Sequence, residues 1–251
     1  MTKLKESILL IGHGSRNATG NQQIQEFTQN LQQKCPQWNI DVCYIELADY
    51  LLDAGLQDAA DKSDKVIVVP LILNAAGHVK EEIPEYIDAA RKKNPDTRFV
   101  YASHIGTDEL ILNIMNRYLK KQMSRLAMPD PKNTGVIVLA RGSSDAQANA
   151  EMAKMARLIF EDNEHELVEL AFTGVCYPRL ETVVQRQVKL GMKQVVILPY
   201  YLFDGILLER IDRQVQRISV QYPDISFVHS RHFGFEPEIL ELVEQRIREC
   251  L

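Results

Sequence analysis

The amino-acid sequence repeats itself over nearly its whole length at an almost constant offset, so that His13 aligns with Arg141, 128 residues further on. The motif ILLIGHGS aligns with VIVLARGS, and EEI aligns with ERI at the same offset. Other matches are Val66–Pro70 with Val195–Pro199, and Phe99, His104 and Gly106 with Phe227, His232 and Gly234. Self-similarity at one period implies two units of the same topology.

Each copy has the pattern of an α/β fold. Ile8–Ile11 and Val66–Val69 are continuous apolar runs, as expected for strands buried on both faces of a parallel sheet. Apolar residues at steps of three and four predict amphipathic helices packed on that sheet. These residues are Ile24, Phe27 and Leu31, and later Leu110, Ile114 and Tyr118.

The repeat also predicts the domain organisation. We expect a first copy at residues 1–124 and a second copy at residues 134–251, joined by a linker that contains MPDPKN at Met128–Asn133. Each copy should hold a parallel sheet flanked by helices, and the two should face each other across a cleft. Ligands of open α/β sheets bind beyond the carboxyl ends of the strands.

Composition narrows the class of protein. A chain of 251 residues that is 45% hydrophobic can bury a substantial core. The net charge of −5 and the lack of long basic runs argue against nucleic-acid binding. The N-terminus carries neither a secretory signal nor a membrane span, and the four cysteines form no C-x-x-C pair. We therefore expect a cytoplasmic protein with no membrane partner.

The two copies differ at three chemically informative positions. His13 corresponds to Arg141, Glu46 to Gly174, and His78 to Ile206. A residue type that only one copy retains has a reason to exist beyond the shared scaffold. His104 and His232 occupy matching positions and are better interpreted as scaffold, and His165 lies in an acidic stretch without such a signal.

The three residues kept by the first copy suit metal chemistry. Imidazole nitrogens with a carboxylate oxygen are suitable ligands for Fe²⁺, Co²⁺ or Ni²⁺, and the same groups suit proton transfer. Each lies after one of the first three predicted strands, so all three should lie at one edge of the sheet. His13, Glu46 and His78 are therefore the predicted metal-binding and catalytic residues.

Polar and cationic residues near these positions are candidates for binding anionic groups of a substrate. Ser15 and Arg16 follow His13, Lys80 follows His78, and Arg141 replaces His13 in the second copy. Such side chains can hold carboxylates by charge-assisted hydrogen bonds. Each is also compatible with a solvated surface position.

The motifs together resemble the class II sirohydrochlorin chelatases. In the first copy the resemblance rests on GHGSR at 12–16, ELA at 46–48, VPL at 69–71 and GHVKEEIP at 77–84. In the second copy RGSSD at 141–145, PRL at 178–180 and LPYYLF at 198–203 resemble the degenerate C-terminal domain of the long members of that family.

The resemblance implies a chelatase-like fold and a lyase that inserts a divalent metal into sirohydrochlorin, a tetrapyrrole, without an organic cofactor. Co²⁺ or Fe²⁺ would serve cobalamin or sirohaem biosynthesis, with Ni²⁺ as a further candidate. His13 and His78 would be the metal-binding and catalytic histidines, and Glu46 their acidic partner. One catalytic copy inside a two-domain chain is compatible with a monomer.

Other functions remain open at this level. A phosphoryl-transfer enzyme also places histidine and glycine after an opening strand, but Gly12, not arginine, precedes His13, and His78 would have no role. Dinucleotide binding is disfavoured because Asn17 stands where the G-x-G-x-x-G fingerprint has its last glycine. A non-catalytic module that binds or delivers a tetrapyrrole or a metal is the main alternative.

Overall fold

The computed structural model describes residues 4–251, in which strands and helices alternate along the chain. The strands are β1 (Ser7–Gly12), β2 (Ile40–Tyr44), β3 (Lys65–Pro70), β4 (Arg98–Tyr101), β5 (Thr134–Ala140), β6 (Leu167–Phe172), β7 (Gln194–Pro199) and β8 (Ser226–His229). The helices are α1 (Ala18–Lys34), α2 (Leu52–Lys62), α3 (Ile83–Lys93), α4 (Glu109–Met123), α5 (Ala146–Asp162), α6 (Leu180–Lys189), α7 (Ile206–Gln221) and α8 (Pro237–Arg248). A π-helical turn, His78–Glu82, leads into α3, and a 3-10 turn, Pro131–Asn133, precedes β5.

The strands form two four-stranded sheets that share one topology. Their orders are β2-β1-β3-β4 and β6-β5-β7-β8, and every pairing is parallel. In the first sheet Ile11 of the central strand β1 pairs with Cys43 on one side and Pro70 on the other. This arrangement confirms the predicted α/β class with two similar parallel sheets.

The predicted apolar patterns form the cores of these elements. Every residue of β1 is buried, as is every residue of β5, as parallel strands covered by helices on both faces require. Ile24, Phe27 and Leu31 line the buried face of α1. The α4 stripe is buried at Ile114 and Tyr118.

Local capping explains where the long helices begin. The side chain of Asn17 accepts a hydrogen bond from the N–H of Thr19 at the start of α1, and Asp145 accepts one from the N–H of Ala148 at the start of α5. Because Asn17 and Asp145 occupy matching positions of the repeat, both copies leave their first strand through the same kind of turn.

The compact units of the structure do not follow the order of the sequence copies. Unit 1 contains the residues up to Gly106 together with Gly234–Leu251, whereas unit 2 is Thr107–Phe233. Helix α4 packs on α5 and β7 of unit 2, and helix α8 packs on α1 and β3 of unit 1. The division at residues 124–134 therefore follows the sequence repeat, while the two compact units exchange their fourth helices.

Across residues 4–251, the helices are all too short or too polar to span a membrane.

Candidate metal centre

His13 and Glu46 are brought together by two backbone hydrogen bonds between the loops that follow β1 and β2. The N–H of Ile45 donates to the carbonyl of Gly12 at 3.0 Å, and the N–H of Glu46 donates to the carbonyl of His13 at 3.1 Å. These bonds continue the parallel pairing of β1 and β2 past the carboxyl ends of the two strands. The side chains of His13 and Glu46 therefore leave from adjacent backbone.

Gly14 permits this close approach. Its φ is +90°, in the left-handed region, and a Cβ at this position would lie 1.7 Å from the carbonyl oxygen of Glu46. An L-amino acid with a side chain would clash with that backbone oxygen. Glycine after His13 is therefore a geometric requirement of the site.

His78 reaches the same edge of the sheet from a different element. It is the first residue of the π-helical turn, which is anchored by hydrogen bonds from the N–H groups of Val79 and Lys80 to the carbonyl of Ala76, both 2.9 Å. Turns of this type occur frequently at functional sites. The sequence analysis placed His78 after the third predicted strand, and the structure gives it a helical backbone there.

The three predicted ligands converge. One possible ligand atom from each of His13, Glu46 and His78 lies within 4.8 Å of the other two. The two imidazole rings are edge to face with centroids 4.8 Å apart, and Nδ1 of His13 lies 3.7 Å from Oε1 of Glu46. The side chains are 31%, 50% and 37% exposed in sequence order, whereas the Nε2 atom of His13 is itself buried.

Hydrogen bonds select the ring nitrogen that each histidine offers. Nδ1 of His13 lies 3.2 Å from the carbonyl oxygen of Gly14, which can only accept, so this contact places the ring proton on Nδ1. Nδ1 of His78 lies 2.5 Å from Oε2 of Glu82, and an ionised carboxylate imposes the same choice. In both rings Nε2 then carries the lone pair, which is the arrangement that a metal-binding histidine needs.

Glu82 is a member of the site that the sequence analysis did not single out. It contacts His78 directly, and its counterpart in the second copy is Arg210, just as the counterpart of His78 is Ile206. Comparison of the two copies could have identified Glu82, because the second copy lacks both this glutamate and the histidine that it contacts. A spacing of four residues on a helical backbone brings such a pair together.

The predicted anion-binding residues occupy different settings. The Ser15 hydroxyl accepts a hydrogen bond from the N–H of Asn17 at 3.0 Å, and Ser143 does the same for Asp145 at the matching position. A bond present in both copies indicates a structural role for this serine. The Arg16, Lys80 and Arg141 side chains are exposed.

The second copy keeps the backbone of this edge without the ligands. The N–H groups of Thr173 and Gly174 donate to the carbonyls of Ala140 and Arg141 at 2.9 and 3.0 Å, which reproduces the link seen after β1 and β2. Gly142 has a φ of +85°, like Gly14 in the first copy. The fold of the edge therefore does not depend on the side chains of His13, Glu46 and His78.

His165 is a buried histidine of unit 2. It is 5% exposed, and its Nδ1 donates to the carbonyl of Thr134 at 3.1 Å. Burial lowers its pKa below the ordinary value, an effect that the hydrogen bond to Thr134 partly offsets. The structure thus places this residue in the core, and the sequence analysis found no functional signal for it.

Comparison with known proteins identifies the family. The CbiX family model matches the chain twice, over residues 7–122 and 135–250. The chain belongs to the CbiX family. The two matches coincide with the two sequence copies, and His13, Glu46 and His78 lie in the first match.

Relatives of this CbiX chain include enzymes named for two metals. It is 36% identical to a sirohydrochlorin cobaltochelatase of Priestia megaterium, across 98% of the chain and 80% of the relative. It is 28% identical to a sirohydrochlorin ferrochelatase of Bacillus subtilis, across 98% of the chain and 92% of that protein.

Solved structures of CbiX-like proteins agree with the fold. SirB from Bacillus subtilis with Fe³⁺ superimposes with a TM-score of 0.82 at 28% identity, covering 98% of this chain and 96% of SirB. SirB from the subspecies spizizenii in complex with cobalt gives 0.81 at 25% identity, covering 98% and 95%.

Proposed function

We propose that this protein is a sirohydrochlorin chelatase that inserts Co²⁺ or Fe²⁺ into the tetrapyrrole, with His13, Glu46 and His78 as metal-binding and catalytic residues. The observation that carries the proposal is the convergence of their ligand atoms within 4.8 Å. The names of the relatives, which include a cobaltochelatase and a ferrochelatase, support the same reaction.

The three donor groups suit a metal that is bound first and then transferred to the tetrapyrrole. Two imidazoles and one carboxylate are borderline ligands for Fe²⁺, Co²⁺ and Ni²⁺, and three protein ligands leave coordination positions open for water and for the pyrrole nitrogens. The ligands are also partly exposed, so the ion is accessible to a planar substrate. A site of this type binds the metal without enclosing it.

Metal insertion also releases the two pyrrole N–H protons. An imidazole can accept a proton near neutral pH, and the Nε2 lone pairs of His13 and His78 become available for this once the metal has passed to the ring nitrogens of the substrate. The exposed Glu46 carboxylate, near the Nδ1 side of His13, completes the coordination or stabilises a protonated ring. No organic cofactor is needed for these steps.

The substrate is expected to be held by its peripheral carboxylates. Arg16 and Lys80 follow the two histidines in sequence and carry exposed cations, and Arg141 supplies another in unit 2. Charge-assisted hydrogen bonds to carboxylates would orient the ring and leave the chemistry to the histidines. Ser15 contributes through the shape of the loop, because its hydroxyl is bonded to Asn17.

The test is the absorbance of anaerobic sirohydrochlorin over time with Co²⁺ or Fe²⁺, corrected for spontaneous insertion. We expect multiple turnovers by the unaltered protein and loss of turnover in His13→Ala and His78→Ala. His229→Ala is the matched control, because His229 is 36% exposed, like His78, but lies at the end of β8 in unit 2. A fully active His13→Ala or His78→Ala protein would overturn the proposal.

The same assay separates the enzyme from a delivery module. A spectrum that shifts only in proportion to the protein added indicates a non-catalytic tetrapyrrole or metal carrier. Comparison of the two metals under identical conditions ranks cobalt against iron. Nickel as a substrate, a monomeric state and a cytoplasmic location stay predictions.

A further inference from the structure

The second copy carries arginines near the edge where the first copy has its predicted metal ligands. Where the first copy has His13, Glu46 and Glu82, the second has Arg141, Gly174 and Arg210. A further cation, Arg179, stands where the first copy has the uncharged Leu51. The second copy thereby gains the guanidinium groups of Arg141 and Arg179 at this edge, although the backbone is retained.

Leu51 and Arg179 correspond to each other in the structure as well as in the alignment of the two copies. Leu51 forms an isolated parallel bridge with Tyr44, and Arg179 forms the equivalent bridge with Phe172. Leu51 precedes α2 and Arg179 precedes α6. Arg179 is therefore an addition to an otherwise equivalent scaffold.

The guanidinium of Arg179 lies close to Gly174, the residue of the second copy that corresponds to Glu46. A Cβ on Gly174, the counterpart of Glu46, would lie 4.0 Å from Nη1 of Arg179. On its other side, Cζ of Arg179 lies 4.7 Å from the ring centroid of Tyr177. The cation is therefore held between the Gly174 backbone and an aromatic ring.

Nη1 of Arg179 is buried and has no hydrogen-bond partner in the part of the chain that the structure describes, residues 4–251. Leaving a charged donor unsatisfied is unfavourable, and an acceptor that reaches it gains a charge-assisted hydrogen bond. Tyr177 is 76% exposed, so its ring can move aside to admit such an acceptor. Glu181, the acidic residue nearest in sequence, already accepts a hydrogen bond from Gln214.

A pair of hydroxyls lies at the same edge. The hydroxyls of Thr173 and Tyr201 are 2.7 Å apart, so one donates to the other and the pair offers at most one proton to an anion. Burial raises the pKa of Tyr201 to about 12, and the nearby positive charge of Arg141 and the hydrogen bond with Thr173 act against that rise. At neutral pH Tyr201 is therefore a protonated donor in the field of Arg141.

We propose that Arg179 and Arg141, with the Thr173 and Tyr201 hydroxyls, form an oxyanion-binding site in unit 2 for a carboxylate. The expected occupant, a peripheral carboxylate of the tetrapyrrole, rests on the proposed function. Inorganic phosphate shares the same chemistry and tests the site without that assumption. Planar guanidinium groups are well suited to both anions.

The experiment measures binding of metal-free sirohydrochlorin by its absorbance, and binding of inorganic phosphate by calorimetry, to the full-length protein. Arg179→Gln should weaken binding of the occupying anion at least about tenfold, the effect of losing a hydrogen bond to a charged group. Arg179→Lys, which keeps the charge but loses the planar fork, should recover part of the affinity. Arg157→Gln is the matched control, since Arg157 also stacks on an aromatic ring, Phe160, in unit 2.

Gly174 offers a second, independent variant. Gly174→Ala should be tolerated, because its Cβ would lie 3.7 Å from the nearest atom, the carbonyl oxygen of Arg141. Gly174→Glu should place a carboxylate next to Arg179 and reduce anion binding as Arg179→Gln does. Circular dichroism checks that each variant is folded.

The outcomes are distinct. Weaker binding of sirohydrochlorin by Arg179→Gln supports the site with the tetrapyrrole as the source of the anion, whereas weaker binding of phosphate alone supports it with a free anion. If folded Arg179→Gln and Gly174→Glu bind both probes within twofold of the unaltered protein, the site is refuted. Retained metal insertion in the His13→Ala and His78→Ala tests would instead refute the proposed function.

Discussion

Nδ1 of His78 lies 2.5 Å from Oε2 of Glu82, four residues further along the chain. Because the contact occupies Nδ1, the imidazole presents Nε2 as its ligand atom, and the ring is held in one orientation at the mouth of the site. Outer carboxylates of this type fix the tautomer and the ring orientation of a metal-binding histidine. Glu82 is thus a positioning residue for His78.

Glu82→Gln should lower metal affinity and the rate of insertion by about 10- to 100-fold, the usual effect of losing such a partner. The KM for sirohydrochlorin should change little, and Glu82→Asp should restore part of the rate. Titration with Co²⁺ and steady-state insertion kinetics measure both quantities. Glu81→Gln, at an exposed neighbouring position, is the control and should behave like the unaltered protein. Equal rates for the two glutamine variants would show that Glu82 has no such role.

Gly14→Ala should disrupt the metal centre. Its Cβ would clash with the carbonyl oxygen of Glu46 at a backbone φ of +90°, so the two loops must separate. We expect loss of insertion activity and a free energy of unfolding lower by about 1–3 kcal/mol, as for strain at a special φ. Denaturant titration and the insertion assay measure these effects.

Gly77→Ala is the control for that substitution. Gly77 has helical dihedral angles, and a Cβ there meets nothing within 4 Å in the described part of the chain. Stability should be unchanged or slightly higher, because alanine favours a helical backbone. Equal stability of the two alanine variants would contradict the role given to Gly14.

The buried His165 should make the protein sensitive to mild acid. Since burial lowers the pKa of His165 in the folded state, the unfolded chain binds the proton more readily. Its contribution to stability is complete above about pH 6.5, the ordinary value for histidine, and is lost as the pH falls towards the lowered pKa. Chemical unfolding at several pH values should show a shallower decline for His165→Asn. Parallel curves for the two proteins would exclude this contribution.

Glu244 should stabilise the docking of α8 on α1 in unit 1. Its carboxylate lies 2.9 Å from Nζ of Lys34 and also pairs with Arg248, and these hydrogen bonds lower the pKa of Glu244. A depressed carboxyl pKa contributes stability above the unfolded pKa, which is lost as the pH falls through the folded one. Glu244→Gln should reduce the free energy of unfolding at pH 7 by up to about 1 kcal/mol, because Lys34 is partly exposed.

Unfolding curves at pH 7 and near pH 3 provide the check. The difference between Glu244→Gln and the unaltered protein should shrink at the lower pH, as the pH falls towards the lowered pKa of Glu244 in the folded state. Glu241→Gln on the same helix is the comparison. A difference that stays constant with pH would assign the effect of Glu244 to packing instead of charge.

Much of the site was accessible from sequence because the repeat is an internal control. In a parallel sheet the residues that follow neighbouring strands meet at one edge, so the sequence alone groups His13, Glu46 and His78. The convergence to 4.8 Å agrees with that grouping. The roles assigned to these residues stay predictions for the variants above.

Other features could not be obtained from the same comparison. Both α4 and α8 carry an apolar stripe. Such a stripe indicates that a helix is buried but does not indicate which sheet it packs against. The π-helical turn at His78 depends on backbone hydrogen bonds to Ala76 that no side-chain pattern specifies. The contact of Arg179 with Tyr177 likewise depends on the path of the loop before α6.

Because the fourth helices are exchanged, unit 1 can be completed only after α8 has been synthesised. Helix α8 supplies Ile239, Leu242, Val243 and Ile247 to the buried interior of unit 1, yet the ribosome makes these residues only after the whole of unit 2. A nascent chain that has reached Phe233 already contains His13, Glu46 and His78 but lacks the helix that packs on α1 and β3. Unit 1, whose synthesis starts first, is therefore completed last during translation, and its predicted metal-binding residues gain their full structural support only then.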